Sequence, residues 1–235
     1  MLKLAKTIIL LCFFSINVAQ ALPEKAKPKL ILLEYDLKRE GKLYATVKER
    51  FSQNGKQYTI KSVTKGVGVY ALMGERVLTS TGTVSKSGLK PSHFELHQGK
   101  SAKKKLTADF SWAKNLLVMQ VKGETKTEKL ELGTQDLASY AYQFMYSPLI
   151  KDDVKVTLTT GKKLKQYQYK VLARGEKLDV VSKSFRTLHI SNQADASDDK
   201  KQLWLAEDQF YLPVRYQLED DGDKFEQTLT KIHVE

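Results

Sequence analysis

The chain has 235 residues, of which 41% are hydrophobic, and it contains one cysteine. These values exclude a disordered chain and a disulfide scaffold, and they allow one large domain or two small ones. The 39 Lys and Arg residues against 27 Asp and Glu residues give a formal net charge of +12. A basic protein of this kind is attracted to anionic surfaces such as phospholipid.

The N-terminal segment, residues 1–21, has the pattern of an export signal. Lys3 and Lys6 provide the positive start, residues 7–18 form an apolar run, and Ala19-Gln20-Ala21 is a small-x-small cleavage site. The apolar run is shorter than the roughly 20 residues that a bilayer-spanning helix requires. We therefore expect cleavage after Ala21 and a mature protein in the bacterial periplasm.

The position of the cysteine agrees with export. Cys12 lies inside the signal and follows Leu11, where a lipoprotein signal needs a small residue, so we expect no lipid anchor. The mature chain then has no thiol, which suits an oxidising compartment. Residues 22–29 are predicted as a Pro/Lys linker. Residues 30–235 are predicted as a single domain, because no change of composition divides them.

Most of the mature chain has the two-residue period of β-strands. The clearest alternation places four apolar side chains on one face, at Leu106, Ala108, Phe110 and Trp112. Turn sequences separate such runs, as at Asn54-Gly55-Lys56, Lys86-Ser87-Gly88 and Asp221-Gly222-Asp223. Residues 166–172 and 178–182 are predicted as separate strands. We expect a mainly β fold, a single curved antiparallel sheet or half-barrel of about a dozen strands.

One segment, residues 134–147, has the period of a helix. Thr134 is predicted as its N-cap, and Pro148 ends it. Its apolar face consists of Leu137, Tyr140, Ala141, Phe144 and Met145. A single amphipathic helix among strands buries such a face against the concave side of the sheet.

The sequence from Gly66 to Ala71 matches the dinucleotide fingerprint G-x-G-x-x-G/A. That fingerprint requires a helix after the glycines, but Gly74 and a β-branched run follow here. Nucleotide binding is therefore not expected. Tyr70, Leu72 and Met73 instead indicate a short apolar loop, which is either a rim or lid over a cavity or ordinary core.

No pattern of catalytic or metal-binding residues stands out. His93 and His97 flank Glu95 on a predicted strand, but a rise of about 3.3 Å per residue separates the two histidines by roughly 13 Å. Neither a nucleophile elbow nor a zinc-binding helix is present in the sequence. We expect no enzyme activity, no metal, no cofactor and no nucleic-acid partner.

The basic residues include a run of three lysines, Lys103, Lys104 and Lys105. Such a run is typical of a solvated sheet edge, where lysine also prevents mispairing of strands. It also fits attraction to an anionic membrane surface. The sequence leaves both interpretations open.

Several short motifs together resemble an exported bacterial family known as domain of unknown function 3108. They are Tyr35-Asp36 with Gly41, Ser80-x-Gly82, Gly88-Leu89-Lys90-Pro91-x-x-Phe94, Phe110-x-Trp112, Asp136-Leu137-x-Ser139, Trp204-Leu205-x-x-Asp208 and Leu212-Pro213-Val214-Arg215. The resemblance covers about residues 30–235. The chain departs from the pattern at Lys38-Arg39-Glu40, which is more charged than the family's first turn.

The order of strands, one inner helix and a closing strand pair is also similar to the LolA/LolB lipoprotein carriers. That resemblance implies a curved sheet and a helical lid around a cavity for acyl chains. The residues facing the helix would then form the cavity wall.

We therefore expect a soluble periplasmic carrier of an apolar or lipid-like ligand. The predicted cavity wall consists of Leu137, Tyr140, Phe144, Met145, Tyr70, Leu72, Met73, Phe110 and Trp112. Arg215 is a candidate anchor for an anionic headgroup, or else an outward, solvated side chain. The alternative function is that of an envelope interaction protein with a filled core, which binds a protein or an anionic polymer through its basic surface or a sheet edge.

Overall fold

The computed structural model describes residues 26–99, 105–147, 150, 153–180, 183–192 and 199–235. The predicted export signal, Lys103 and Lys104 lie outside the described residues. Among the residues described, no helix has the length and apolar character needed to cross a membrane.

The described chain is almost entirely β-structure. The strands are β1 (Leu30–Arg39), β2 (Lys42–Asn54), β3 (Gln57–Gly66), β4 (Arg76–Ser85), β5 (Gly88–Gln98), β6 (Leu106–Ser111), β7 (Leu116–Val121), β8 (Glu124–Lys129), β9 (Gln135–Asp136), β10 (Val154–Thr159), β11 (Leu164–Val180), β12 (Lys183–Asn192), β13 (Lys200–Ala206), β14 (Leu212–Asp220) and β15 (Asp223–Val234). One short α-helix, α1 (Tyr140–Gln143), continues into a 3₁₀ turn, Phe144–Tyr146. A second 3₁₀ turn, Gly68–Met73, connects β3 to β4.

All 15 strands form one sheet, in the order β8-β7-β6-β5-β4-β3-β2-β1-β15-β14-β13-β12-β11-β10-β9. The first strand, β1, pairs with both β2 and β15, so the first and last strands are neighbours in the middle of the sheet. The two edges curl toward each other. Gln135 on β9 donates from Nε2 to the Leu89 carbonyl at 2.9 Å, and Thr159 on β10 donates to Met119 Sδ on β7 at 3.3 Å. The sheet is therefore barrel-like.

The side chains inside the curve form two apolar clusters. The first cluster comes mainly from β1 to β7, and the second comes mainly from β10 to β14. The helix α1 lies between them, because Tyr142 and Met145 belong to the first cluster while Tyr140 and Phe144 belong to the second. This arrangement confirms a mainly β fold with one inner helix.

Two strands that were not predicted, β8 and β9, raise the strand count above the predicted dozen. Strand β8 is exposed on both faces and carries no apolar residue that would give a two-residue period. Strand β9 has only two residues and pairs in parallel with β10. In contrast, residues 166–172 and 178–182 do not form separate strands, because the 17-residue β11 runs from 164 to 180 through Gly175.

The helix is much shorter than the predicted segment 134–147. Residues 135–136 pair as β9, and only four residues, Tyr140–Gln143, are α-helical. Thr134 is not the N-cap, because its hydroxyl donates backward to the Glu131 carbonyl at 2.7 Å. Asp136 Oδ1 accepts the backbone N–H groups of Ala138 and Ser139 at 2.9 Å each, and this turn delays the helix until Tyr140.

Candidate functional site

The helix is attached to the sheet through a buried carboxylate. Asp136 accepts a hydrogen bond from Ser80 Oγ at 2.6 Å, and the Tyr58 hydroxyl lies 3.1 Å from the same Ser80 oxygen. Ser139 Oγ accepts from the Asp136 N–H at 3.0 Å. Burial raises the pKa of Asp136 to about 6, while these hydrogen bonds act in the opposite direction. We call Tyr58, Ser80, Asp136 and Ser139 the helix lock.

Further contacts fix α1 on the side of the first cluster. Tyr142 donates from its hydroxyl to Glu49 Oε2 at 3.0 Å, and Ser62 donates to Glu49 Oε1 at 3.1 Å. Burial raises the pKa of Glu49. Gln143 accepts from the Leu89 N–H at 2.7 Å. The β4–β5 hairpin therefore holds the end of the helix, while β2 holds its middle.

The predicted wall residues of the helix lie inside the curved sheet. Tyr140, Phe144 and Met145 are 8%, 2% and 1% exposed, and Leu137 contacts both apolar clusters. Tyr140 and Phe144 pack in one cluster and Met145 in the other, so these side chains lie on opposite sides of the segment formed by α1 and its 3₁₀ turn.

Phe110 and Trp112 belong to the first cluster. Phe110 is buried, and its ring stacks on Trp112 with centroids 6.0 Å apart. Trp112 is partly buried and donates from Nε1 to the Pro91 carbonyl at 2.6 Å. These two residues thus contribute to the packed wall on the Met145 side of the helix.

Tyr70, Leu72 and Met73 do not join the helix residues. They lie in the 3₁₀ turn Gly68–Met73, which buries no side chain. Leu72 is 91% exposed and Met73 is 45% exposed, whereas the Tyr70 ring packs on Tyr44 with centroids 4.5 Å apart. We call residues 67–73 the apolar turn, because Val67 and Val69 are exposed there too. The structure therefore places it on the outside.

Arg215 also lies apart from the helix. It pairs with Trp204 and Thr228 of the neighbouring strands, on the opposite face of β14 from the inward Tyr216. Its guanidinium carbon is 5.7 Å from the centre of the Trp204 ring, which stacks on His189 at 4.0 Å. The outward orientation separates Arg215 from the helix-lined interior.

Another arginine does face the interior. Arg76 shares a face of β4 with Leu78 and Ser80, and its guanidinium lies within electrostatic range of the Tyr216 hydroxyl. Burial lowers the pKa of Arg76, although part of its side chain remains accessible. Within the described part of the chain, no carboxylate forms an ion pair or hydrogen bond with Arg76.

Three tyrosines surround this position from α1, β11 and β14. Tyr140 and Tyr216 belong to the second apolar cluster and lie close enough to interact electrostatically. The Tyr169 hydroxyl is buried, interacts electrostatically with Tyr216, and has no hydrogen-bond partner among the described residues. Burial raises the pKa of all three tyrosines, so they remain protonated donors at neutral pH. We call Arg76, Tyr140, Tyr169 and Tyr216 the interior polar cluster.

The sequence analysis identified Tyr140 but missed the other three members of this cluster. Arg76 could have been identified from the alternation of side chains along β4. Residues 76, 78, 80 and 82 lie on one face of this strand, and the residues between them lie on the outward face. An arginine at the start of an alternating run is normally assigned to solvent. The sequence alone does not show that Arg76 faces inward, because this depends on how a distant strand, β14, lies across the curved sheet.

The histidine-rich face of β5 is an ion-pair cluster. Glu95 contacts His97 Nε2 at 2.5 Å and Lys105 Nζ at 2.7 Å, and His93 contacts Asp109 at 2.6 Å. Burial raises the pKa of Glu95, but Lys105 and His97 hold it below its ordinary value overall. In the ranges that the structure covers, no group of three or more His, Cys, Asp or Glu side chains is arranged to hold a metal ion.

Two surface pockets lie elsewhere in the molecule. One has a volume of about 90 Å³ and lies where the β11–β12 hairpin meets β15, lined in part by Val180, Phe185 and Leu229. The other is an open groove on the outer face of β1 and β15, lined by Leu32, Glu34, Lys231 and His233. The first is smaller than the roughly 300 Å³ of a typical ligand site. Neither is lined by α1 or by the interior polar cluster.

Comparisons with known proteins agree with this architecture. The model of a family described as "Protein of unknown function (DUF3108)" matches residues 34–230. The crystal structure of a β-barrel-like protein of domain of unknown function DUF1849 from Brucella abortus superposes with a TM-score of 0.57 and 13% sequence identity. The match covers 89% of this chain and 99% of that one, and it shows a shared fold. A search of curated proteins found no match.

Proposed function

The chain belongs to the DUF3108 family, and we propose that it is an exported, periplasmic protein that binds and carries an apolar or lipid-like ligand without catalysing a reaction. The ligand binds inside the barrel-like sheet, between α1 and the second apolar cluster. A curved sheet around an inner helix supports this proposal, because concave apolar interiors are the usual place for small ligands.

The observation that carries the proposal is the set of incomplete hydrogen bonds inside the sheet. The Tyr169 and Tyr146 hydroxyls and Gln135 Oε1 are buried and have no partner among the described residues, and Arg215 Nε on the outer face of β14 is in the same condition. Each such group costs about 1–3 kcal/mol of stability, and most buried polar groups in proteins are paired. A bound molecule with polar atoms would complete the hydrogen bond of Tyr169, which belongs to the second apolar cluster.

Binding requires α1 to move, because its apolar side chains fill the space between the two clusters. The helix has four residues, too few to be stable without tertiary contacts. Its polar attachments are the helix lock, the Tyr142–Glu49 contact and the Gln143 contacts with the β4–β5 hairpin. Release of these contacts would open the second cluster while the sheet remains intact.

Native mass spectrometry of the mature protein, purified without detergent from a periplasm, tests this function. We expect a reproducible bound mass that solvent extraction recovers as a lipid-like compound. A clean apo mass, together with failure to bind added fatty acids and phospholipids, would contradict the proposal.

A pair of variants locates the ligand. Phe144→Ala removes a ring from the second cluster and should abolish the bound mass. Phe225→Ala is the matched control, because it removes the same kind of ring from a different position, on β15. There the centroids of the Phe225 and Tyr44 rings are 6.0 Å apart. Circular dichroism of both variants checks that the fold is intact. Equal loss of ligand in both variants would contradict a site beside α1.

The apolar turn favours a second candidate function, that of an envelope interaction protein. Exposed Val69, Leu72 and Met73 lie on a chain of high positive charge, a combination that suits an anionic membrane surface. Flotation with phosphatidylglycerol vesicles tests this function. A second test uses Leu72→Ser, or charge reversal of Lys103, Lys104 and Lys105. If either change abolished the function of the protein in cells while ligand binding remained, the interaction function would replace the carrier function.

A further inference from the structure

We infer that the ligand is an anionic amphiphile whose carboxylate or phosphate head binds to Arg76, Tyr169 and Tyr216, an inference that rests on the proposed carrier function. The apolar chain then extends along Tyr140 and Phe144 into the second cluster. The interior polar cluster is the site, and it takes the anchoring role that the sequence suggested for Arg215.

The charge inside the sheet favours an anion at this position. The buried carboxylates Glu49 and Asp136 accept hydrogen bonds from neutral donors, whereas Lys201, the buried cation of β13, is paired with the Asp199 carboxylate at 3.1 Å. Arg76 has no such partner among the residues described. A partly buried guanidinium without a counter-ion is costly, and an anionic ligand would remove that cost.

The donors around Arg76 match a planar or tetrahedral anion. A guanidinium offers parallel N–H groups that bind carboxylate or phosphate in a bidentate manner. The free Tyr169 hydroxyl adds a further donor from β11, and the Tyr216 hydroxyl adds one from β14. These groups come from separate elements, so the rigid sheet holds them in place without the ligand.

The accessible part of Arg76 provides a route for the head. Arg76 begins β4, directly after the loop that contains the apolar turn, whereas Leu78 and Ser80 farther along the same face are 5% and 0% exposed. The head would therefore lie nearer the mouth of the sheet, and the chain deeper. This orientation is the usual one for an amphiphile in an apolar cavity, because the charged end retains more contact with water.

Isothermal titration of the mature protein with four probes tests the inference. The probes are dodecanoate, dodecyl phosphate, dodecanol and inorganic phosphate. We expect both anionic amphiphiles to bind at least tenfold more tightly than dodecanol, and inorganic phosphate to bind weakly. The variant Arg76→Gln should lose this preference, and Arg76→Lys should retain part of it. Arg215→Gln is the matched control, and it should bind as the wild type does.

Each outcome separates the inference from the function on which it rests. Equal binding of dodecanol and dodecanoate, unchanged in Arg76→Gln, would overturn the anionic head while supporting an apolar ligand. Failure of all three C12 probes to bind would contradict both. Tight binding of inorganic phosphate alone, lost in Arg76→Gln, would leave an anion site without an amphiphile and overturn the inference. Circular dichroism confirms that each variant is folded.

Discussion

Two groups of polar side chains lie inside the sheet, and they differ in the completeness of their hydrogen bonds. In the helix lock, Asp136 accepts from Ser80 at 2.6 Å, and Ser80 also contacts Tyr58. In the interior polar cluster, Arg76 lacks a carboxylate and Tyr169 lacks any partner among the described residues. A complete network stabilises the folded protein, whereas an incomplete one lowers its stability and leaves donors for a ligand. The comparison therefore separates contacts that hold the fold from groups that the proposed ligand would use.

The largest expected effect is on the helix lock. Asp136→Ala should lower the free energy of unfolding by about 3 kcal/mol, because it leaves Ser80 and two backbone N–H groups without their acceptor. Urea unfolding followed by circular dichroism measures this change. Asp109→Ala is the control, since Asp109 is exposed and should change stability by less than about 0.5 kcal/mol. Equal effects of the two variants would show that Asp136 does not hold the helix.

The pH dependence of stability should carry the signature of the same carboxylate. Because burial raises the pKa of Asp136 from 3.8 to about 6, the folded state keeps a proton that the unfolded state releases. The free energy of unfolding should therefore fall as the pH rises from about 4 to 6, by up to about 3 kcal/mol. The free energy of unfolding is measured at several pH values for the wild type and for Asp136→Asn. The difference between the two proteins isolates the contribution of Asp136 from that of Glu49. Identical pH profiles for the two proteins would contradict it.

Two matched tyrosine variants compare the networks directly. Tyr142→Phe should cost about 1–2 kcal/mol, because it removes the donor to buried Glu49. Tyr169→Phe should raise the free energy of unfolding by about 1 kcal/mol, because it removes a buried hydroxyl that has no described partner. The affinity for dodecanoate should fall mainly in Tyr169→Phe and much less in Tyr142→Phe. A large loss of stability in Tyr169→Phe would indicate that its hydrogen bond is already complete in the free protein.

The smallest effect is expected outside the sheet. Leu72→Ser should leave the free energy of unfolding within about 0.5 kcal/mol of wild type, because Leu72 is 91% exposed. Thermal unfolding checks this expectation. The same variant should bind dodecanoate normally, since the apolar turn is separate from the interior polar cluster. A loss of ligand would instead connect the turn with entry to the interior.

The sequence was sufficient to predict the class of fold. Alternating side chains and the three glycine turns at residues 54–56, 86–88 and 221–223 correspond to hairpins between β2 and β3, β4 and β5, and β14 and β15. The helix was overestimated, because residues 135–136 pair as β9 and the Asp136 turn follows them. Periodicity alone cannot separate a helical face from a short strand, a turn and a four-residue helix in succession.

The site was predicted only in part. Tyr140 and Phe144 were found because an amphipathic segment must bury its apolar side chains. No role was predicted for Arg76, and Arg215 was left open between an inward anchor and an outward side chain, since each faces one side of its own strand and only the curvature of the whole sheet makes one side the interior. Curvature and contacts between distant strands are not encoded in any local pattern.

The most direct test of the comparison is to follow two arginines during ligand binding. NMR of the mature protein labelled with ¹⁵N-arginine resolves the arginine Nε–H signals. The signals of Arg76 and Arg215 are assigned by their loss in Arg76→Gln and Arg215→Gln. Addition of dodecanoate should shift the Arg76 signal strongly and leave the Arg215 signal nearly unchanged. Saturable binding with no change at Arg76 would contradict the assignment of the interior polar cluster as the ligand site.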